Sequence, residues 1–301
     1  MSRNNILDNT NGVLVTGATG FIGSRLIPTI KEVNNYQVIA AVRSQVNFCW
    51  PVTVASVGEI NAKTDWKDAL QGINRVIHLA ARVHVMKDNS TDPLSEFRST
   101  NVEGTRALAE QAAAAGVKRF IFVSSIKVNG ESTEPDSLFT PEDVPAPVDP
   151  YGISKAEAED ALRQISSETG MEVVIIRPPL IYGPGVKANF AAMIRWLNRG
   201  IPLPLGCTGN KRSLLALDNL VDLIITCLDH PAAANETFLA SDDEDVATSE
   251  LLRRMGQALG RPARLIPVPP ALVRLAARAV GKESIYQRLF GSLQLDVRKT
   301  R

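Results

Sequence analysis

The chain has 301 residues, enough for one large α/β domain with a smaller lobe attached. Its 33 Lys+Arg and 32 Asp+Glu leave a formal charge of +1, so no overall excess points to nucleic acid or an anionic membrane, and an anionic ligand must be met by a few placed cations. Three sparse cysteines (Cys49, Cys207, Cys227) make no disulfide framework, and His78, His84 and His230 lack zinc-ligand spacing, so no metal is expected.

Residues 1–12 are polar and predict no secretory signal. No apolar run reaches the ~18 residues that a membrane span needs. A cytoplasmic protein is therefore expected. Apolar stretches at 13–16, 37–42, 75–81, 119–124 and 172–177 are short and continuous, as in strands buried on both faces of a parallel sheet. Segments between them, such as 104–115, are rich in Ala, Leu and Glu and predict helices. The alternation predicts βαβ units and hence an α/β fold with a doubly wound, Rossmann-type parallel sheet. Beyond residue 178, Pro and Gly cluster at 178–185 and 200–209. A dinucleotide-binding domain over 1–177 and a smaller substrate-binding lobe over 178–301 are expected, with some elements interleaved. Asp218 reads as the N-cap of a helix over 219–228.

The first apolar stretch runs into Gly17-Ala18-Thr19-Gly20-Phe21-Ile22-Gly23. A tight strand–helix turn needs a residue without Cβ, and close approach of backbone to a pyrophosphate needs another. The following helix, expected to begin near Phe21, then offers its N-terminal amides to the phosphates. The second stretch ends Val42-Arg43-Ser44, with no carboxylate to meet the 2′-hydroxyl of NAD. Arg43 can instead meet the 2′-phosphate of NADP, so NADP(H) is favoured over NAD(H). Glu59 and Ile60, between the stretches at 37–42 and 75–81, either border the adenine or are ordinary surface residues.

Tyr151 and Lys155 are four apart, on one face of a helix. A phenol, with a pKa near ~10, is a poor base at neutral pH, but a nearby ammonium and a positive nicotinamide ring favour the phenolate. Such a tyrosine exchanges a proton with a carbinol or carbonyl oxygen while hydride moves. Ser124 and Ser125 end an apolar stretch and can hydrogen-bond the reacting oxygen.

In combination, Thr16 with the glycine loop, His78-Leu79-Ala80-Ala81, Asn101-Val102-Glu103-Gly104-Thr105, residues 124–130, Tyr151-Gly152-Ile153-Ser154-Lys155, residues 177–185 and residues 212–218 resemble the extended short-chain dehydrogenase/reductase family of nucleotide-sugar epimerases, dehydratases and reductases. The resemblance covers nearly the whole chain. It implies that Ser125 is the catalytic hydroxyl beside Tyr151 and Lys155. It also implies that Ala80 and Ala81 line the cofactor, that Pro178 sits near the nicotinamide, and that Asn101 orders the site. Arg212, with Asn189, is implied to hold the diphosphate of a UDP-sugar. Lys127 either meets a substrate oxygen or reaches to water. Where the family's dehydratases carry an Asp-Glu pair after the catalytic hydroxyl, this chain has Ile126 and Lys127, which speaks against water elimination. Asn129 and Leu180 also depart from common family residues. Relatives continue past residues 293–300, implying a shortened chain or a trimmed substrate lobe.

Residues 125–131, 182–190 and 202–206 look most like bacterial reductases of UDP-4-keto-6-deoxy-N-acetylhexosamines in surface-polysaccharide synthesis. The leading expectation is thus a 4-keto reductase using NADPH. The alternative is a UDP-hexose or UDP-N-acetylhexosamine 4-epimerase, which must keep its cofactor bound and usually uses NAD. A non-catalytic dinucleotide-binding scaffold has no need of Ser125, Tyr151 and Lys155 together. A homodimer is compatible with all three readings.

Overall fold

The computed structural model describes residues 11–33, 36–83, 92–134 and 137–301. His84 therefore lies outside the described residues. In chain order the first half contains β1 (Gly12–Thr16), α1 (Gly23–Val33), β2 (Gln37–Val42), β3 (Thr53–Ser56) and β4 (Ile73–His78). A continuous helical run follows: α2 (Pro93–Arg98), a π-helical turn (Ser99–Glu103) and α3 (Gly104–Ala114). Then come β5 (Arg119–Val123), a 3-10 turn (Ile126–Val128), α4 (Pro150–Thr169) and β6 (Glu172–Arg177). The second half holds β7 (Leu180–Tyr182), α5 (Ala188–Asn198), β8 (Arg212–Ala216), α6 (Leu217–Asp229), β9 (Thr237–Leu239), β10 (Asp245–Val246), α7 (Thr248–Ala258), α8 (Pro270–Ala279) and α9 (Glu283–Phe290).

The main sheet has seven strands in the order β3-β2-β1-β4-β5-β6-β9. β1 through β6 pair in parallel. Strand order reverses between β1 and β4, and the crevice beyond the carboxyl ends of strands at such a reversal is where doubly wound sheets bind ligands. All five residues of β1 and of β5 are buried, as expected of strands covered on both faces. Trp66, Leu70, Leu108, Phe120, Phe122 and Leu162 belong to the principal core cluster against this sheet.

Two compact units interleave along the chain. The first comprises residues 1–128, 145–177 and 218–238, and the second 129–144, 178–217 and 239–301. The second unit has its own small sheet, β10-β8-β7, and a core of Met193, Leu197, Leu205 and Leu252. One edge of the division falls between Arg177 and Pro178, while residues 129–144 and 218–238 cross to the other unit.

Two local expectations change. α1 is regular only from Gly23, because residues 17–22 form the turn that precedes it. Asp218 lies inside the first turn of α6 rather than capping it, and its carboxylate pairs with Arg25 at 2.7 Å. The apolar run at 75–81 overshoots β4, which ends at His78 so that Leu79 and Ala80 can pack on the glycine loop.

Candidate active site

The carboxyl ends of β1, β4 and β5 lead into the glycine loop, Ala80 with Ala81, and Ser125, while Tyr151 and Lys155 stand on α4. After β1 the chain turns sharply at Gly17, whose φ of 66° lies in the left-handed region that favours glycine. A Cβ on Gly17 would lie 2.8 Å from the Ala80 nitrogen, and one on Gly23 would lie 2.4 Å from the Gly17 carbonyl oxygen. The Gly20 amide donates to that same oxygen at 2.9 Å, closing the turn. Thr19 and Gly20 stay exposed on the rim, with Phe21 and Ile22 half-buried. This is a backbone cradle at a helix N-terminus, the arrangement that accepts a pyrophosphate. The residues present therefore fit a dinucleotide, with the loop at the phosphates and Ala80 and Ala81, both half-buried, beside it.

A chain of hydrogen bonds leads from this loop to the catalytic helix. The Ala80 amide donates to Thr16 Oγ1 at 3.2 Å, and Thr16 Oγ1 lies 2.7 Å from His78 Nδ1. His78 Nε2 lies 3.0 Å from Thr105 Oγ1, whose own proton goes to the Asn101 carbonyl at 2.7 Å. A threonine has one proton to give, so Thr105 must accept from His78. The imidazole thus carries its proton on Nε2 and accepts from Thr16 on Nδ1. Burial and the nearby Lys155 push the His78 pKa down to about 3, which keeps the ring neutral. Asn101 sits in the π-helical turn, a feature frequent at functional sites. Its amide group brackets the Arg82 backbone, accepting from N at 2.7 Å and donating to O at 3.0 Å. It also donates to Ser154 Oγ at 3.0 Å, and Ser154 donates to the Tyr151 carbonyl at 2.8 Å. Gly104 is needed because a Cβ there would lie 2.6 Å from Ile60 Cγ2.

α4 begins where Asp149 accepts from the Gly152 amide at 2.7 Å and Pro150 takes the first helical position. Its first turn presents Tyr151 and Lys155. Tyr151 is half-buried, packs edge-on against Phe97 at 6.2 Å between ring centroids, and is hydrogen-bonded to the Ser125 side chain. Burial, then the Asp149 charge, push the phenol up to about 12, against a smaller lowering by Ser125. Tyr151 therefore holds its proton at neutral pH. Lys155 is buried, donates to the Val123 carbonyl at 2.8 Å, and sits 3.8 Å from the centre of the Phe122 ring. Burial pulls its pKa down to about 7, partly opposed by Glu159. The lowering of Tyr151 by Lys155 expected from the spacing is not among the forces acting on the phenol.

One turn beyond Lys155, Glu159 is fully buried and forms a two-pronged pair with Arg177 at the end of β6, with oxygen–nitrogen distances of 2.6 and 2.9 Å. Ser124 also donates to Glu159, at 2.6 Å. Of the two serines, Ser124 is thus structural and Ser125 faces Tyr151. Lys127 pairs with Asp149, the cap of α4.

Arg43 and Glu59 are exposed, and Ile60 is half-buried against the principal core. Pro178, Asn189 and Arg212 belong to the second unit. Pro178 is buried and Asn189 exposed on α5. Arg212 is half-buried, donates to the Gly291 carbonyl at 3.0 Å, and has its pKa lowered by burial. Sequence reasoning missed His78, Thr105, Ser154 and Asp149 as parts of the site. The signal for His78, Thr105 and Ser154 lay in the very motifs that carried the resemblance, while Asp149 stands just before the Tyr151–Lys155 motif.

Residues 13–240 match a family described as the NAD dependent epimerase/dehydratase family. The chain belongs to that family. A UDP-glucose 4-epimerase of Vibrio cholerae is 49% identical over 290 residues, covering 96% of this chain and 88% of the relative. An N-acetyl-alpha-D-glucosaminyl-diphospho-ditrans,octacis-undecaprenol 4-epimerase of Escherichia coli O157:H7 is 28% identical, covering 86% of this chain and 76% of the relative. A Thermotoga maritima UDP-glucose 4-epimerase solved with UDP-glucose superposes with a TM-score of 0.73 at 22% identity, over 96% of this chain and 90% of that one. A Bacillus cereus UDP-glucuronic acid 4-epimerase solved with NAD gives 0.75 at 20% identity, over 96% and 88%. The latter two likenesses establish the fold. As a family member the chain is an enzyme of the nucleotide-sugar epimerase/dehydratase class.

Proposed function

We propose that the chain is a 4-epimerase of a UDP-sugar of the glucose type, in place of the reductase that the sequence put first. The observation that carries this is the 49% identity to the Vibrio cholerae enzyme along nearly the whole chain. The second relative named above is also a 4-epimerase, and both names describe a glucose-type sugar on a diphosphate.

A dinucleotide held by the glycine loop, Ala80, Ala81 and Lys155 would supply a hydride acceptor and then donor, and its oxidised ring would favour the Tyr151 phenolate. Tyr151 takes the proton from O4 as C4 loses hydride, leaving a 4-ketone. Hydride then returns to the opposite face of C4 and Tyr151 gives the proton back, so the reaction is redox-neutral. Ser125 hydrogen-bonds O4 and Tyr151 together. Lys155 grips the nicotinamide ribose, and the loop from Gly17 to Gly23 holds the pyrophosphate. Arg212, aided by Asn189, holds the substrate diphosphate.

The test is incubation with UDP-glucose and UDP-N-acetylglucosamine, NAD being the only nucleotide cofactor added. The C4 epimer should form with no net accumulation of reduced cofactor. Turnover that occurs only with a 4-keto sugar, consuming one NADPH per product, would replace this reading. A 4-keto reductase of a UDP-6-deoxy-N-acetylhexosamine is the second reading. It is favoured by one feature: the exposed Arg43 beyond β2, with no carboxylate beside it. The two differ in cofactor, NAD for epimerisation and NADPH for reduction. Titration of NADH and NADPH against the wild type and Arg43→Ala distinguishes them.

A further inference from the structure

The overall charge of +1 conceals a strong local imbalance. Between Arg261 and Arg288 stand Arg261, Arg264, Arg274, Arg278, Lys282 and Arg288 against the single carboxylate of Glu283, a local net charge of +5. This segment contains α8 and α9, neither of which has a buried residue. The two helices pack on each other as a hairpin within the second unit. Glu283 ties it together by pairing with Arg274 at 3.1 Å and with Arg278 at 2.9 Å. Arg261, Arg264, Lys282 and Arg288 are exposed and meet no carboxylate among the described residues.

The same hairpin shows water an apolar stripe. On α8 the half-buried residues are Val273 and Ala277, four apart, which place one edge of the helix against the protein. Leu272, Leu275, Ala276 and Ala279 follow helical spacing on a different face, and all are exposed. Leu272 is 57% exposed, Leu275 66% and, just past the helix, Val280 65%. Ile266 before α8 and Ile285 on α9 are also exposed, at 48% and 45%. A stripe of exposed leucines and alanines along one face of a helix, on a segment this rich in Lys and Arg, marks an interaction surface rather than a solvated helix.

We infer that the α8–α9 hairpin is a docking surface for an anionic phospholipid bilayer, on which α8 lies in the plane of the interface. At ten residues α8 is too short to cross a bilayer, and among the described residues no helix is long and apolar enough to do so. An apolar face with flanking Lys and Arg is the chemistry of an interfacial helix: the leucines enter the headgroup boundary and the cations meet the negative surface. Charge decides against the chief competitor. An isologous contact between two copies would set one +5 patch directly against another. A lipid headgroup layer supplies the opposite sign over the whole footprint.

The experiment is co-sedimentation of the full chain with vesicles of phosphatidylcholine alone and of phosphatidylcholine mixed with phosphatidylglycerol, at low and high salt. Binding is expected only to the phosphatidylglycerol vesicles and should weaken as salt rises. Lys282→Ala and Arg264→Ala should each lower the partition coefficient about fivefold. Leu272→Glu with Leu275→Glu should reduce binding to background, while turnover of a soluble nucleotide sugar stays unchanged. Both leucines are exposed, so these variants keep the fold, which circular dichroism verifies. Failure to sediment with phosphatidylglycerol vesicles, or equal binding to both compositions, would overturn the proposal. A concentration-dependent dimer abolished by the same leucine pair would also overturn it, by giving the surface to a second copy.

Discussion

Tyr151 and His78 are two titratable groups of the site that their surroundings shift in opposite directions. Tyr151, pushed up to about 12 by burial and by Asp149, keeps its proton until an oxidised dinucleotide beside it favours the phenolate. Tyr151→Phe removes that proton and little binding surface. Turnover is expected to fall by roughly 10²–10⁴, the usual contribution of general acid–base catalysis, with cofactor affinity nearly unchanged in a fluorescence titration. His78 refuses a proton until about pH 3, whereas the unfolded chain accepts one near ~6.5. Below ~6.5 protonation therefore favours the unfolded state. Stability from this group is fully present above that pH and is lost as pH falls toward 3. The loss can reach about 1.4 kcal/mol per pH unit within the window. Gln at this position offers one donor and one acceptor but no titration. Denaturant midpoints of wild type and His78→Gln should thus converge on acidification, and parallel curves would show that the relay is not the acid-sensitive element. Spacing alone exposed Tyr151 and Lys155, because helical periodicity maps directly onto a face. It could not expose His78 or Thr105, because their partners lie 62 and 27 residues away along the chain and meet only through the β1–β4 pairing and the π-helical turn.

The elements themselves were legible to the extent that burial wrote them. The strands at 37–42 and 172–177 match β2 and β6, since a strand covered on both faces carries a continuous apolar run, here residues 38–42 and 173–176. The run at 75–81 misleads because Leu79, Ala80 and Ala81 are also apolar, yet they leave the sheet to face the glycine loop. The π-helical turn has no compositional signal. It inserts one residue's worth of rotation between α2 and α3, where Asn101 ties the Arg82 backbone to Ser154. The glycine loop was read from its pattern, and the structure separates its members. A methyl at position 23 would meet the Gly17 carbonyl at 2.4 Å, backbone that cannot yield without reshaping the turn. At position 20 the same oxygen lies 3.0 Å away. Gly23→Ala is expected to cost about 1–3 kcal/mol in folding stability and roughly tenfold or more in cofactor affinity. Gly20→Ala should be the milder variant in both. Isothermal titration and thermal melts of the pair test the order, and equal tolerance of both would mean that the loop is free to open.

Across the whole molecule the residues proposed for the chemistry and those proposed to hold the substrate fall in different units. Ser125, Tyr151, Lys155 and the glycine loop all belong to the first unit, while Arg212 and Asn189 belong to the second. That division makes a kinetic statement. A residue that binds the diphosphate equally in ground and transition states contributes uniform binding, which appears in KM and not in kcat. Arg212→Ala should therefore raise KM for the nucleotide sugar while kcat holds. Loss of a charge-assisted contact contributing about 1.5–3 kcal/mol corresponds to roughly ten- to a hundredfold in KM. Arg212 also donates to the Gly291 carbonyl, so the second unit loses one internal hydrogen bond in the same variant. Arg212→Lys isolates the two effects. It keeps a positive charge for the diphosphate but loses the planar two-pronged donor, so KM should recover only in part. If Ala and Lys variants raise KM equally, the guanidinium geometry is what the diphosphate reads. If kcat falls in step with kcat/KM in both, Arg212 acts on the transition state, and the division of labour between the units fails.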